Sequence, residues 1–199
     1  MNNTINFELG FLIDKIINVE GDIVELGVYT GNNSIQFIWQ APQKKYIGFD
    51  TFKGYTEEDI ETSPNKEGLT DNANRWNHDK NETIKRIQSF KDRFELGDFE
   101  IVEGDLKKTF PEYVESKKIK NISMLYIDCN AYLPASVGIE TAYPIMGPGS
   151  IICIDEHQTG GETKAIMEAS EKHGLEVIDT GFKFISGPNS NPSKYMVKQ

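Results

Sequence analysis

The sequence predicts a doubly wound α/β domain: a seven-stranded, mostly parallel sheet with helices on both faces and the last strand antiparallel. Three observations predict it. First, Gly21–Asn32 starts as a short apolar strand, Ile23–Leu26, breaks at Gly27, turns through Gly31 and enters a helical pattern from Ser34. Strand, glycine turn and helix in that order open a nucleotide-type cofactor site, because glycines admit a ligand to the backbone and the helix start offers unpaired N–H groups. Second, Ile122–Ile127 and Ser150–Ile154 are near-continuous apolar runs separated by a helical pattern at Pro134–Tyr143. Such runs mark parallel central strands covered on both faces. Third, almost every predicted strand ends in an acid: Glu25, Asp50, Asp105 just past the third strand, Asp128, and the pair Asp155-Glu156.

The remaining elements follow in order. Phe7–Ile17 has roughly helical apolar spacing, and Ser34–Gln40 is a helix closed off by Pro42. Lys45–Phe49 reads as the second strand. The polar tract Lys53–Lys80 reads as an irregular lid or substrate loop within the single domain 1–199. Glu82–Phe94 resumes a helical period and Phe99–Glu103 is the third strand. Leu106–Lys117 is a helix interrupted early by Pro111. Glu162–His173 is the last helix, and Leu175–Ile178 and Tyr195–Val197 are the last strands.

A chain of 199 residues suits one well-buried domain, and its net charge of -10 argues against a phosphate-backbone binder. No apolar run approaches a membrane span and no secretory signal is visible, so the expected location is cytoplasmic. Cys129 and Cys153, at or near strand ends, read as free thiols.

The glycine spacing is not the dinucleotide fingerprint, and Tyr29 stands where a pyrophosphate needs bare backbone. Glu25 repels phosphate and attracts an amine or hydroxyl, which favours a cofactor with an amino-bearing part, such as S-adenosylmethionine (SAM). Asp50, at the end of the neighbouring strand, is placed to accept ribose hydroxyls or to cap a turn. Asp105 could take an adenine amino group or serve as a helix N-cap. Phe49 or Phe52 could pack on an adenine face or belong to the core. Asp128, Asp155 and Glu156 would repel one another without a cation between them, which suggests a hard divalent ion such as Mg²⁺; otherwise some of them are caps or ion-pair partners. His157 is the best-placed general base, although a loop histidine can simply be exposed, and His78 and Tyr132 are weaker candidates. His173 reads as a helix-dipole partner.

These motifs resemble the macrocin/mycinamicin O-methyltransferases, a family of class I SAM-dependent methyltransferases with a Rossmann-like fold. The resemblance rests on Val24–Gly31, Gly48–Gly54, Glu103-Gly104-Asp105, Tyr126-Ile127-Asp128 with Tyr132, Tyr143-Pro144, Pro148-Gly149-Ser150 and Ile154-Asp155-Glu156. It implies that Glu25, Gly27, Asp50 and Asp105 belong to the cofactor site and that Asp128, Asp155 and Glu156 hold Mg²⁺. Tyr29, Gly31, Ser34, Thr51, Phe52 and Asp128 are further candidates for the cofactor site, and His157 and Asp128 are the candidate catalytic residues. Where the family usually has Asp-Gly-Asp, this chain has Asp128-Cys129-Asn130, and Asp155-Glu156 replaces two aspartates. The expected activity is methyl transfer to a hydroxyl of a sugar-like or other vicinal-diol molecule, with neither nucleic acid nor membrane as partner; a homodimer is compatible with it. The alternatives are a catalytically silent cofactor-binding homologue and an NAD(P)-linked oxidoreductase. The glycine spacing counts against the latter.

Overall fold

The computed structural model describes residues 6–73, 75–94, 96–155, 160–182 and 193–199. The chain runs α1 (Phe7–Ile16), β1 (Asp22–Leu26), α2 (Asn32–Gln40), β2 (Tyr46–Asp50), α3 (Glu57–Thr62), α4 (Lys66–Asp71), α5 (Lys80–Phe94), β3 (Phe99–Glu103) and α6 (Leu106–Glu115). It continues through β4 (Ile122–Ile127), α7 (Tyr132–Ala142), a 3₁₀ turn (Tyr143–Ile145), β5 (Met146–Ile154), α8 (Gly161–His173), β6 (Ile178–Asp179) and β7 (Lys194–Val197).

The strands form one seven-stranded sheet in the order β3-β2-β1-β4-β5-β7-β6. β1 to β5 pair in parallel, and β7 runs antiparallel to both β5 and β6. The strand order reverses at β1 and β4, so their carboxyl ends open a crevice where a ligand can enter.

Side-chain alternation sends each strand to two cores. Val24 and Leu26 of β1, with Leu125 and Ile127 of β4, pack with α6, α7 and α8 through Phe110, Ile139 and Ile166. On the opposite face, Ile23, Met124 and Tyr126 meet α1, α2 and α5 through Leu12, Phe37 and Ile87. The helices therefore cover both faces, as the apolar runs imply. Strand β4 is buried along its whole length, which is why its sequence shows no polar alternation beyond the small Ser123.

Three expectations change. The tract 53–80 is not irregular: it holds the short helices α3 and α4, and an antiparallel bridge joins Lys53 to Asn77. Six residues give too little periodicity to recognise, but Thr56 and Asp59 form a capping box that fixes the start of α3. Pro111 does not break α6, which continues to Glu115. The penultimate strand is Ile178–Asp179, because Gly174 ends α8 in a left-handed conformation and Leu175 is buried among the α6–α8 side chains instead of pairing. Both cysteines are free, and among the described residues no helix is long and apolar enough to cross a membrane.

Candidate active site

The glycine turn is shaped by what lies against it. Gly27 has φ of 99°, and a Cβ there would stand 2.0 Å from the carbonyl oxygen of Asp128. The close approach of the β1 and β4 ends thus requires glycine. Gly31 serves α5 instead: its Cβ would meet Ile87 at 2.9 Å and Thr83 at 3.2 Å. Thr83 Oγ1 donates to the Tyr29 carbonyl at 2.8 Å, and the Arg86 guanidinium donates to the Thr30 carbonyl at 2.9 Å. The turn is clamped from outside by α5.

Asp50 holds the same turn from inside. Its Oδ2 accepts from the backbone N–H groups of Val28 and Tyr29, both at 2.7 Å, and its Oδ1 accepts from Phe52 N–H at 2.6 Å. Tyr29 and Phe52 have φ of 48° and 54°, a region side chains other than glycine rarely occupy. One carboxylate therefore stabilises two left-handed residues. The turn-cap role of Asp50 is realised, and the carboxylate still borders the cleft.

Glu25 is fully buried behind this turn, taking hydrogen bonds from Ser34 Oγ at 2.9 Å and from Tyr46 OH. Its Oε1 has no partner. Burial, only partly offset by those hydroxyls, pushes its carboxyl up to about 8.

A cleft of about 110 Å³ opens where these elements meet, lined among others by Gly27, Tyr29, Asp50, Thr51, Tyr55 and Asp128. Asp59, Trp76 and Asn130 also line it. The Tyr29 ring meets Trp76 edge-on at 5.3 Å and His78 at 5.5 Å, so residues from 53–80 cover the entrance. Five candidate cofactor residues, Gly27, Tyr29, Asp50, Thr51 and Asp128, share this wall. Glu25, Gly31, Ser34 and Phe52 lie behind or beside it. Asp105 borders a neighbouring hollow of about 430 Å³ that shares Thr51, Gly54 and Tyr55 with the cleft. Its Oδ1 caps α6 by accepting Lys107 N–H at 3.1 Å.

The second acidic group gathers at the ends of β4 and β5. Asp128 Oδ2 accepts from the Asn33 side-chain amide at 3.1 Å, and Asp155 Oδ1 accepts from Tyr126 OH at 2.7 Å. Burial raises the Asp128 carboxyl well above the usual range, and the negative charges of Asp155, Glu162, Glu25 and Asp50 push it further. Among the described residues, no group of three or more His, Cys, Asp or Glu could hold a metal ion. Glu156 and His157 lie outside the described residues.

Of the weaker base candidates, His78 packs on the Tyr29 ring, and Tyr132 OH donates to Glu168 at 2.6 Å under the Lys164 ammonium. His173 stacks on Tyr143 with centroids 3.8 Å apart, at the carboxyl end of α8.

Sequence reasoning missed three residues here. Buried Glu162, in the first turn of α8, accepts the N–H of Asn130, whose φ is 57°. It thereby fixes the bend that follows Asp128. Asn33 ties the start of α2 to Asp128. Asp59 is buried against Lys107 of α6 at 2.6 Å. Only Asp59 carried a readable signal, the Thr-x-x-Asp capping box; the other two depend on contacts far apart in sequence.

The family model of macrocin-O-methyltransferases (TylF) matches residues 9–179. No curated protein gives a match. Among solved structures, CalS11, a calicheamicin methyltransferase, is 22% identical, with TM-score 0.70 over 99% of this chain and 80% of that one. The O-methyltransferase NovP is 17% identical, with TM-score 0.76 over 97% of this chain and 78% of that one. The O-methyltransferase TomG from Streptomyces achromogenes, solved in complex with SAM, is 11% identical, with TM-score 0.58 over 96% of this chain and 77% of that one. At such identities the shared property is the fold. Together with a family match over most of its length, these findings show that the chain is a methyltransferase and belongs to the macrocin-O-methyltransferase family.

Proposed function

We propose that the protein transfers the methyl group of SAM to a hydroxyl of a small sugar-like or vicinal-diol molecule, with Mg²⁺ at the acidic end of the cleft. The observation that carries this reading is the shared cleft wall, on which the glycine turn and Asp50 face Asp128.

The donor set suits SAM, and two of the three expected Mg²⁺ ligands, Asp128 and Asp155, are carboxylates at the ends of β4 and β5. A carboxylate offers about four lone-pair sites, and Asp50 uses three on backbone N–H groups, so one site on Oδ1 is open to a ribose hydroxyl. The unpartnered Oε1 of Glu25, buried behind the turn, would favour a cation across the turn, as the ammonium of a methionine tail would be. Asp105, at the neighbouring hollow, would take the adenine amino group. Asp128 and Asp155 supply hard oxygen donors crowded by like charge, which suits Mg²⁺ with Glu156 as third ligand.

When bound, SAM supplies an electrophilic methyl group, and Mg²⁺ lowers the pKa of the acceptor hydroxyl. The protein's own task is alignment. The turn 27–31 and Asp50 fix the donor side, and the bend after Asp128 fixes the acceptor side. Tyr55 and Trp76 present faces to a sugar ring and exclude water. His157 is the proposed proton acceptor.

Calorimetry with SAM and with NAD, each with and without Mg²⁺, tests this. Heat with SAM and none with NAD is expected, followed by Mg²⁺-stimulated release of S-adenosylhomocysteine on a panel of vicinal-diol sugars. No heat with SAM overturns the reading.

A further inference from the structure

The cap formed by α3 and α4 has little to hold it by itself. A six-residue helix is too short to persist in water, and α3 is polar apart from Ile60. Besides the burial of Leu69 in α4, what fixes it is a set of polar ties to two other elements. Ser63 Oγ accepts the N–H of Tyr132 at 2.9 Å, and Asn65 Nδ2 donates to the Asn130 carbonyl at 3.4 Å. The strongest tie is to Lys107.

Lys107 has three ammonium hydrogens and three close acceptors. Asp59 Oδ1 is at 2.6 Å, Asp105 Oδ1 at 3.0 Å and Thr56 Oγ1 at 3.3 Å. Glu58 stands farther away at 3.9 Å. The Lys107 and Asp59 side chains are only 10% and 7% exposed, so solvent screens the pair weakly. Asp59 belongs to the cap and lines the cleft, whereas Asp105 borders the neighbouring hollow. Both the backbone N–H and the ammonium of residue 107 bind Oδ1 of Asp105, which leaves Oδ2 for a ligand. One cation thus stands between two carboxylates that face two different parts of the site.

We propose that Lys107 is a positioning residue that couples a ligand beside Asp105 to the order of the cap over the acceptor side. The inference rests on the reading of the Asp105 hollow as the adenine side of a SAM site. A ligand that immobilises Asp105 fixes the ammonium, and the ammonium fixes Asp59 and Thr56 at the start of α3. Coupling of this kind is reciprocal, so a disordered cap weakens binding at Asp105.

Hydrogen–deuterium exchange on the full chain, with SAM as the probe, tests it. In the unliganded protein, Lys107→Met should speed exchange of amides 57–71 about tenfold and leave α5 unchanged. SAM should slow exchange of 57–71 several-fold in the native protein and by less than half that factor in Lys107→Met, with Lys107→Arg restoring most of the protection. Native exchange rates in Lys107→Met, with and without SAM, overturn the proposal, as does a native protein that binds SAM without protecting the cap. If SAM gives no heat at all, the functional reading and the coupling fall together, while the comparison of unliganded proteins still decides the anchoring role. Should Lys107→Met fail to fold, Asp59→Asn replaces it: faster exchange over 57–71 supports the anchor and native exchange overturns it.

Discussion

Asp50 and Asp128 end neighbouring parts of the sheet and face the same cleft, yet their surroundings are opposite. Asp50 accepts three backbone N–H groups from the turns it organises and keeps one acceptor site open. Asp128 has an amide from Asn33 and otherwise feels the charges of Asp155, Glu162, Glu25 and Asp50. The first carboxylate is a structural member that stays available to a ligand. The second is held in a state that a cation would relieve. The donor side is therefore built before any ligand arrives, whereas the acceptor side has charge stored for one.

The largest expected effect comes from the contact that joins the two sides. Gly27→Ala forces a Cβ to 2.0 Å from the Asp128 carbonyl at a positive φ, so either β1 or β4 must move. A loss of roughly 4 kcal/mol is expected in denaturant melts, together with loss of SAM binding. A variant with native stability would mean that the two strand ends are not rigidly registered.

Asp50→Ala comes next. It removes the acceptor from three N–H groups, two of them on left-handed residues, and should destabilise by about 3 kcal/mol. SAM affinity should fall with it, and the comparison breaks if stability is lost while calorimetry shows native affinity.

Glu25→Gln probes the stored charge and should have the smallest effect, which depends on pH. The folded pKa of Glu25 is raised to about 8, so its contribution to stability is fully present below the unfolded value near 4.5 and is lost as pH rises toward 8. The Gln variant escapes that loss. Its melting temperature should lie below the native one near pH 5, where the new amide N–H lacks a partner, and exceed it at pH 9 by an amount worth roughly 2 kcal/mol. An advantage that does not grow with pH would remove Glu25 from the stored charge.

Much of the fold was legible because it depends on local pattern. The continuous apolar runs of β4 and β5 declared a parallel core, and the glycine turn located the first βα unit. The helices within 53–80 were not legible because α3 and α4 are too short and polar to show a face. Their order comes from ties such as Lys107–Asp59, 48 positions apart in sequence. Of the strand-end acids, Asp50 and Asp128 line the cleft, as do three more of the candidate cofactor residues, Gly27, Tyr29 and Thr51. Their separate surroundings could not be read. That Asp50 is tied to three backbone N–H groups and Asp128 is crowded depends on contacts with Val28, Tyr29, Phe52, Asn33 and Glu162 that sequence spacing does not reveal.

The position of β7 has a consequence for how the chain assembles. β7 follows β6 in the chain but lies between β5 and β6, antiparallel to both. β6 therefore has no neighbour until residues 194–197 have crossed back to β5. The half of the sheet that bears β1 to β5 can pair without β7, whereas β6 joins the sheet only through β7. Until it does, β5 presents an unpaired, apolar rim that can capture a strand from another molecule. The same insertion that finishes the sheet is thus also what covers the rim of β5.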